Sequence, residues 1–220
     1  MINKHPNAEL LVEYTSGTLS TAPAIAITTH LHFCDTCSHL TQSLAEIGSQ
    51  FLNESEREPI SEDLFEKVLA CLDDSSDIND SIARQAQPST DDMVQTLPRY
   101  VQNLLPDSLL WRSLSPSLKT AAISIGEQVH EVALHKIKAR GRAPEHNHRG
   151  REITVVLKGN FSDQDGVYNP GDFIVREIGE VHQPFATQDD ECICLSVLEG
   201  PIKLTGINRI FNPFLSFSPS

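Results

Sequence analysis

The fold of the second half of this chain is decided by one segment, His146-Asn147-His148-Arg149-Gly150-Arg151-Glu152. Side chains alternate along a strand, so His146 and His148 face the same side, and Glu152 shares that parity if the intervening turn preserves it. His182 follows later in the chain, just after Asn169-Pro170-Gly171-Asp172. Three histidines and a carboxylate on one side of a small barrel predict a site for zinc, iron, manganese or nickel.

The spacing around these residues extends the pattern. In order, it runs Gly141, His146-x-His148, Glu152, Gly159, Gly166, Pro170-Gly171-Asp172 and His182. It resembles the two-part metal signature of the cupin superfamily. That resemblance implies an all-β jelly-roll barrel (a double-stranded β-helix), whose four ligands hold zinc or another divalent metal ion.

Length and charge place this barrel in a larger protein. A chain of 220 residues exceeds one barrel and suggests two domains, each able to bury its own core. A formal charge of −13 argues against a protein that coats nucleic acid. No apolar run is long enough for a membrane span, and the first residues lack the apolar stretch of an export signal. We therefore expect a cytoplasmic location and no membrane partner.

The first seventy residues have the apolar spacing of short helices. The expected boundaries are Asn7 as the first cap, Gly17 as its stop, a second helix from near Thr21 towards His30, a third capped by Asp35 or Thr36, and a fourth capped by Ser61. The third helix carries Cys37, Leu40, Leu44, Ile47 and Phe51 as one stripe. Helices this short need packing against one another or against a partner.

A second candidate metal site lies in these helices, at His30-x3-Cys34-x2-Cys37. The two cysteines are spaced so that both thiolates reach one ion at a bend between helices. A closed tetrahedral zinc site needs a fourth ligand, and we choose His5 because it ties the N-terminal segment to the helices.

Three alternatives remain open for this cluster. His32 and His39 compete with His5, although each lies two residues from another candidate ligand and points elsewhere on a helix. The cluster is also compatible with buried cysteines and a hydrogen-bonded histidine that bind no metal.

The N-terminal motifs together resemble a known family. His5-Pro6, Glu9-Leu10-Leu11-x2-Tyr14-x2-Gly17-Thr18-Leu19 and His30-Leu31-x2-Cys34-x2-Cys37 are similar to the N-terminal domain of the ChrR-type zinc-binding anti-sigma factors. In that family a small helical zinc domain precedes a cupin domain, which is the order found here. The resemblance implies a structural zinc ion on His5, His30, Cys34 and Cys37.

The same resemblance implies a transcriptional regulator and not an enzyme. Its partner would be an extracytoplasmic-function sigma factor of RpoE type, released when the cupin domain senses singlet oxygen or organic hydroperoxide. The acidic charge supports part of this, since it complements a basic sigma factor and disfavours direct nucleic-acid binding. Apolar stripes on short helices also suit binding to another chain.

The leading alternative is a metal-dependent cupin enzyme. Three histidines and a glutamate with an open coordination position also serve dioxygenases and isomerases, and the helices would then be an accessory module. A neighbouring gene for a small sigma factor favours the regulator, whereas turnover of diketones or flavonols favours the enzyme.

The predicted boundaries divide the chain into four parts. Residues 1–75 form the helical zinc domain, 76–96 an acidic flexible linker, 97–207 the cupin sensor and 208–220 a tail that packs on the barrel or on a partner. Strands are expected at 130–137, 153–157, 167–175 and 192–198.

A possible redox pair lies on the last of these strands. Cys192 and Cys194 share a face, and their Cα atoms are expected about 6.6 Å apart, near the upper limit for a disulfide. A direct bond therefore requires the strand to bend. Either the pair is oxidised during sensing, or both side chains only fill the barrel.

Overall fold

The computed structural model describes residues 2–56, 59–61, 63–73, 92–106, 108–187, 190–214, 217 and 219. The α-helices of the described residues are α1 Ala8–Ser16, α2 Thr21–Phe33, α3 Asp35–Glu54, α4 Leu64–Asp73, α5 Asp92–Gln95 and α6 Arg99–Leu104. A 3-10 helix spans Gly206–Phe214. The strands are β1 Arg112–Ser113, β2 Leu118–Ile123, β3 Glu131–Ile137, β4 His146–His148, β5 Glu152–Lys158, β6 Phe161–Asp163, β7 Gly166–Tyr168, β8 Phe173–Arg176, β9 Val181–His182, β10 Phe185–Ala186, β11 Cys192–Leu198 and β12 Ile202–Leu204.

The first helix boundaries are confirmed. The Asn7 side chain accepts a hydrogen bond from the backbone N–H of Leu10 at 2.8 Å, and Gly17 ends α1 in the left-handed region at φ 71°. The predicted cap of α3 is wrong. Asp35 is already helical, and Cys34 caps the helix because its backbone is extended and its sulfur accepts the N–H of Cys37.

The strands form a six-stranded antiparallel sheet and two three-stranded sheets. The large sheet has the order β1-β2-β3-β11-β5-β8, and the small sheets have the orders β10-β6-β7 and β12-β4-β9. Strand β4, which carries the paired histidines, therefore belongs to a different sheet from β5, which begins at Glu152. The chain changes sheets within three residues at Gly150, where a Cβ would lie 2.6 Å from the backbone nitrogen of Gly200.

Strand β11, in the interior of the large sheet, is buried on both faces. On β11 every residue is buried: Ile193, Leu195 and Val197 face the helices, while the alternate side chains face the barrel interior. Helix α2 packs on β5, β8 and β11. One apolar core therefore contains residues from α1, α2 and α3 together with the outer face of the sheet. This differs from the expectation of two separate cores, because the short helices use the sheet as their packing surface.

Most of the predicted strands agree with the observed strands. The predicted stretch 167–175 is wrong as one strand, because the turn Asn169–Asp172 divides it into β7 and β8. Residues 74–91, which contain most of the predicted linker, lie outside the described residues. Part of the predicted tail lies in the 3-10 helix, where Asn212 bonds both backbone groups of Leu204. Among the described helices, none combines the length and the hydropathy needed to cross a bilayer.

Candidate metal centres

The four barrel residues predicted as ligands converge on one point. His146 and His182 are directly opposite each other on the antiparallel pair β4–β9, and their Nε2 atoms lie 3.1 Å apart. The Oε2 atom of Glu152 lies 3.3 Å from Nε2 of His148 and 3.7 Å from Nε2 of His182. All four side chains are buried, with 8% or less of each residue exposed. The change of sheet at Gly150 has therefore preserved the predicted common face.

In three of the four residues, other protein groups bind the atom that points away from this centre. The Nδ1 atom of His146 donates to the carbonyl of Pro144 at 2.8 Å, and Nδ1 of His182 lies 3.3 Å from a carboxylate oxygen of Asp163. Ser196 donates to the far oxygen of Glu152 at 2.9 Å. Such outer contacts fix the ring orientation and leave the inward nitrogen with a free lone pair, as metal-binding histidines require.

Two of the four inward atoms lack a hydrogen-bond partner within the protein. Nε2 of His148 and Oε2 of Glu152 are buried without a hydrogen bond of acceptable geometry, a condition that is costly unless another group satisfies them. Metal–nitrogen bonds of 2.0–2.1 Å in a tetrahedral site place ligand atoms about 3.3 Å apart, which matches the spacing here. The donor set thus fits a divalent ion.

The protonation states suit the same chemistry. Burial, reinforced by the neighbouring His182, lowers the pKa of His146 to about 4, so its ring is neutral near pH 7. Burial alone would raise the pKa of Glu152, but the surrounding histidines outweigh it and lower the pKa. Neutral imidazoles and an ionised carboxylate are the forms that bind a metal ion.

A cavity of about 350 Å³ opens beside this cluster. Its lining is largely apolar and includes Leu118, Phe161 and Leu198, whereas His135 and the cluster supply polar groups. Cys194 also lines it, and the sulfur atoms of Cys192 and Cys194 lie 3.6 Å apart. The register between β11 and β5 shifts at this point, because Ile193 pairs with Lys158 and Cys194 with Val156, which leaves Leu157 of β5 as the extra residue.

The predicted helical cluster also assembles. Each of the sulfur atoms of Cys34 and Cys37 lies 3.4 Å from Nδ1 of His5. His30 completes the group, and all four donor atoms lie within 4.8 Å of one another. Zinc–sulfur bonds of 2.3 Å and zinc–nitrogen bonds of 2.0–2.1 Å give a sulfur–nitrogen separation of about 3.6 Å. The arrangement fits a tetrahedral zinc ion.

The environment of these donors favours a cation. Nδ1 of His30 lies 2.6 Å from the carbonyl of Gly171, while its Nε2 atom is buried without a partner. Burial and the adjacent Cys34 raise the pKa of Cys37 to about 11. A bound divalent ion would compensate that penalty and stabilise the thiolate, assisted by the N-terminus of α3.

The competing histidines lie elsewhere. His32 and His39 are exposed, and neither belongs to a group of converging donors among the described residues. Their positions follow from helix geometry, since a residue two positions from a ligand lies on a different face.

Sequence reasoning missed the groups that orient the ligands. Ser196 lies on the same strand parity as Cys194, so its inward position was available from the alternation of β11. Asp163 carried no such signal: its side chain is fully buried and binds Arg176, Tyr168 and His182, residues brought together only by the fold. Despite its burial, these contacts hold the pKa of the Asp163 carboxyl well below its usual range.

Comparisons with known proteins place this geometry in a family. The model of the ChrR Cupin-like domain matches residues 103–202. The anti-sigma-E factor ChrR of Cereibacter sphaeroides is 30% identical over 214 residues, which cover 97% of this chain and 98% of that protein. This chain belongs to the ChrR family.

A solved structure extends the likeness to three dimensions. A crystal structure of Rhodobacter sphaeroides SigE in complex with the anti-sigma ChrR is 27% identical, with a TM-score of 0.74. The match covers 90% of this chain and all of that one. The predicted order of a helical part followed by a cupin barrel is thereby confirmed for this ChrR-family chain.

Proposed function

We propose that this protein is an anti-sigma factor that sequesters an extracytoplasmic-function sigma factor of RpoE type in the cytoplasm. The observation that carries the proposal is the similarity to ChrR along nearly the whole chain, helices and barrel together. The protein is then a transcriptional regulator and not an enzyme. We expect its sigma-binding surface to lie on the helices.

The apolar face of α3 and α4 is the best candidate for that surface. In the predicted stripe, Cys37 is buried and Leu44 is partly buried, whereas Leu40, Ile47 and Phe51 are exposed, Phe51 by 70%. On α4, Phe65 and Val68 are 68% and 50% exposed. Among the described residues, α4 packs extensively against no other element. Exposed apolar positions at helical spacing suit insertion into a groove of a partner chain.

The helical cluster supports this surface through zinc. Cys34 ends α2 and begins α3, so an ion on His5, His30, Cys34 and Cys37 would fix the angle between these helices. Binding energy of a structural zinc ion contributes directly to folding. We expect zinc here because two thiolates and two imidazoles are its preferred donors.

The barrel cluster is the proposed sensor. His146, His148, Glu152 and His182 would hold zinc or another divalent ion at one end of the apolar cavity. An oxidant such as singlet oxygen or an organic hydroperoxide would reach the ion and Cys194 from that cavity. Oxidation of the adjacent thiols is a second route for the same signal.

One experiment tests both halves. The full chain is purified, its metals are counted, and its binding to the sigma factor is measured before and after oxidant exposure. A His146→Ala/His148→Ala variant should lose the barrel metal, and its sigma binding should no longer change on oxidant exposure. Release at the wild-type rate by that variant would refute the sensor assignment. Failure of the wild-type chain to bind sigma at all would refute the anti-sigma assignment.

A further inference from the structure

The turn Asn169–Asp172 contacts the helical cluster directly. The carbonyl of Gly171 accepts from Nδ1 of His30, and the ring of Phe173 packs edge-on against the His30 ring, 5.8 Å between centroids. Gly171 has a φ of +91°, and a Cβ there would lie 2.6 Å from the side chain of Phe33. The turn is thus fitted closely to the end of α2.

The same turn binds the segment that precedes His5. Asp172 is fully buried, and its Oδ1 atom accepts the backbone N–H groups of Asn3 and Lys4 at 2.6 and 2.9 Å. The N–H of Phe173 donates to the carbonyl of Lys4 at 3.0 Å. The opposite oxygen of Asp172 accepts from Asn169 at 2.7 Å and closes the turn. A buried carboxylate with three such bonds is a strong and specific tether.

Strand β8 continues from this turn to the barrel cluster. Its last residue, Arg176, is paired in register with Glu152. Arg176 also donates to Asp163, which in turn contacts Nδ1 of His182. The path from Asp172 to Arg176 is four residues of extended chain, roughly 13 Å. One end of this short strand therefore contacts residues of the helical cluster, and the other end contacts the residues that orient the barrel cluster.

We propose that the turn Asn169–Asp172 and strand β8 couple the two clusters, with Asp172 as the positioning residue for His5 and Gly171 for His30. Displacement of the barrel ligands shifts β8 through Arg176, loosens the bonds to residues 3 and 4, and weakens metal binding by the cysteine cluster. Such coupling requires that both clusters bias one structural element. The proposal rests on the two metal sites proposed above and names the route between them.

Cobalt exchange in the full chain tests this coupling. The thiolate-to-cobalt absorption band reports only the cysteine cluster, and its decay in excess EDTA gives the rate of metal loss. In Asp172→Asn that rate should rise at least tenfold. Lys4→Pro should have a similar effect, because proline has no amide proton to donate while the barrel is unaltered. Lys4→Ala, which keeps the amide, and Asp190→Asn, an exposed carboxylate, should stay within twofold of wild type.

A double-variant comparison separates coupling from local damage. His146→Ala/His148→Ala should accelerate cobalt loss in the wild-type background and have no further effect in the Asp172→Asn background. An unchanged rate in Asp172→Asn and Lys4→Pro would overturn the proposal. So would an equal effect of the histidine changes in both backgrounds.

Hydrogen exchange makes the test independent of metal and sigma. Backbone amides of residues 3 and 4 should be protected in wild type, exposed in Asp172→Asn, and faster to exchange in His146→Ala/His148→Ala. A missing cobalt band would contradict the proposed metal site alone, and the exchange rates would then decide the coupling. The coupling would be refuted if these amides were unprotected in wild type, or if their exchange rates did not change in His146→Ala/His148→Ala.

Discussion

Truncation of Phe51 should weaken sigma binding by about 30-fold. The side chain is 70% exposed on α3. Aromatic side chains bury about 150 Å² or more, so covering the exposed part by a partner removes about 105 Å² from water. At about 25 cal/mol per Å² this contributes about 2.6 kcal/mol, of which about 2 kcal/mol is lost in Phe51→Ala because Cβ remains. That difference corresponds to about 30-fold in Kd.

Titration calorimetry of the full chain with the sigma factor measures this effect. The matched control is Ile178→Ala, because Ile178 is also 70% exposed but lies between β8 and β9 on the barrel. Both substitutions should change the free energy of unfolding by less than about 0.5 kcal/mol, since neither side chain is packed. The assignment of the sigma-binding face would be refuted if the Kd of Phe51→Ala lay within twofold of the wild-type Kd and did not differ from the Kd of Ile178→Ala.

Three further predictions concern the cysteines. Cys34→Ala should lose one zinc equivalent, measured by elemental analysis, and should melt at a lower temperature in calorimetry. The control Cys71→Ala removes an exposed thiol and should keep the wild-type zinc content and melting temperature. Zinc affinity of the helical cluster should rise with pH between 6.5 and 8, by about tenfold per unit for the proton that Cys37 loses, because burial raises the pKa of this thiol and keeps it protonated without metal. A flat profile in chelator competition would exclude ligation by this thiol. Oxidant treatment should link Cys192 to Cys194, found by thiol mapping, and the double serine variant should respond more weakly; normal release by that variant would leave both residues as packing only.

Local spacing was sufficient to place part of each cluster. His146, His148 and Glu152 needed only strand alternation and a turn that kept parity, and Cys34 and Cys37 needed only a bend between helices. The role of Asp172 was not predictable in this way. Its partners Asn3 and Lys4 lie 169 and 168 residues away, and no short pattern encodes a contact over that distance.

The cap of α3 shows a second limit of sequence reasoning. Asp35 is the better cap by side-chain preference, yet the sulfur of Cys34 takes that position because the backbone is extended at Cys34 and already helical at Asp35. Strand β11 shows a third limit. Its alternation placed Cys192 and Cys194 on one face, and the apolar Ile193, Leu195 and Val197 indicate that the other face is also covered, but the strand does not indicate that helices cover it.

The shared core has a practical consequence for shortened forms of the protein. Cutting between the helices and the barrel would uncover the outer face of the large sheet, including Val155 and Leu195, which are fully buried in the intact chain. A continuous apolar sheet face in contact with water promotes aggregation. A separately expressed barrel should therefore collect in inclusion bodies unless these positions are first replaced by polar residues.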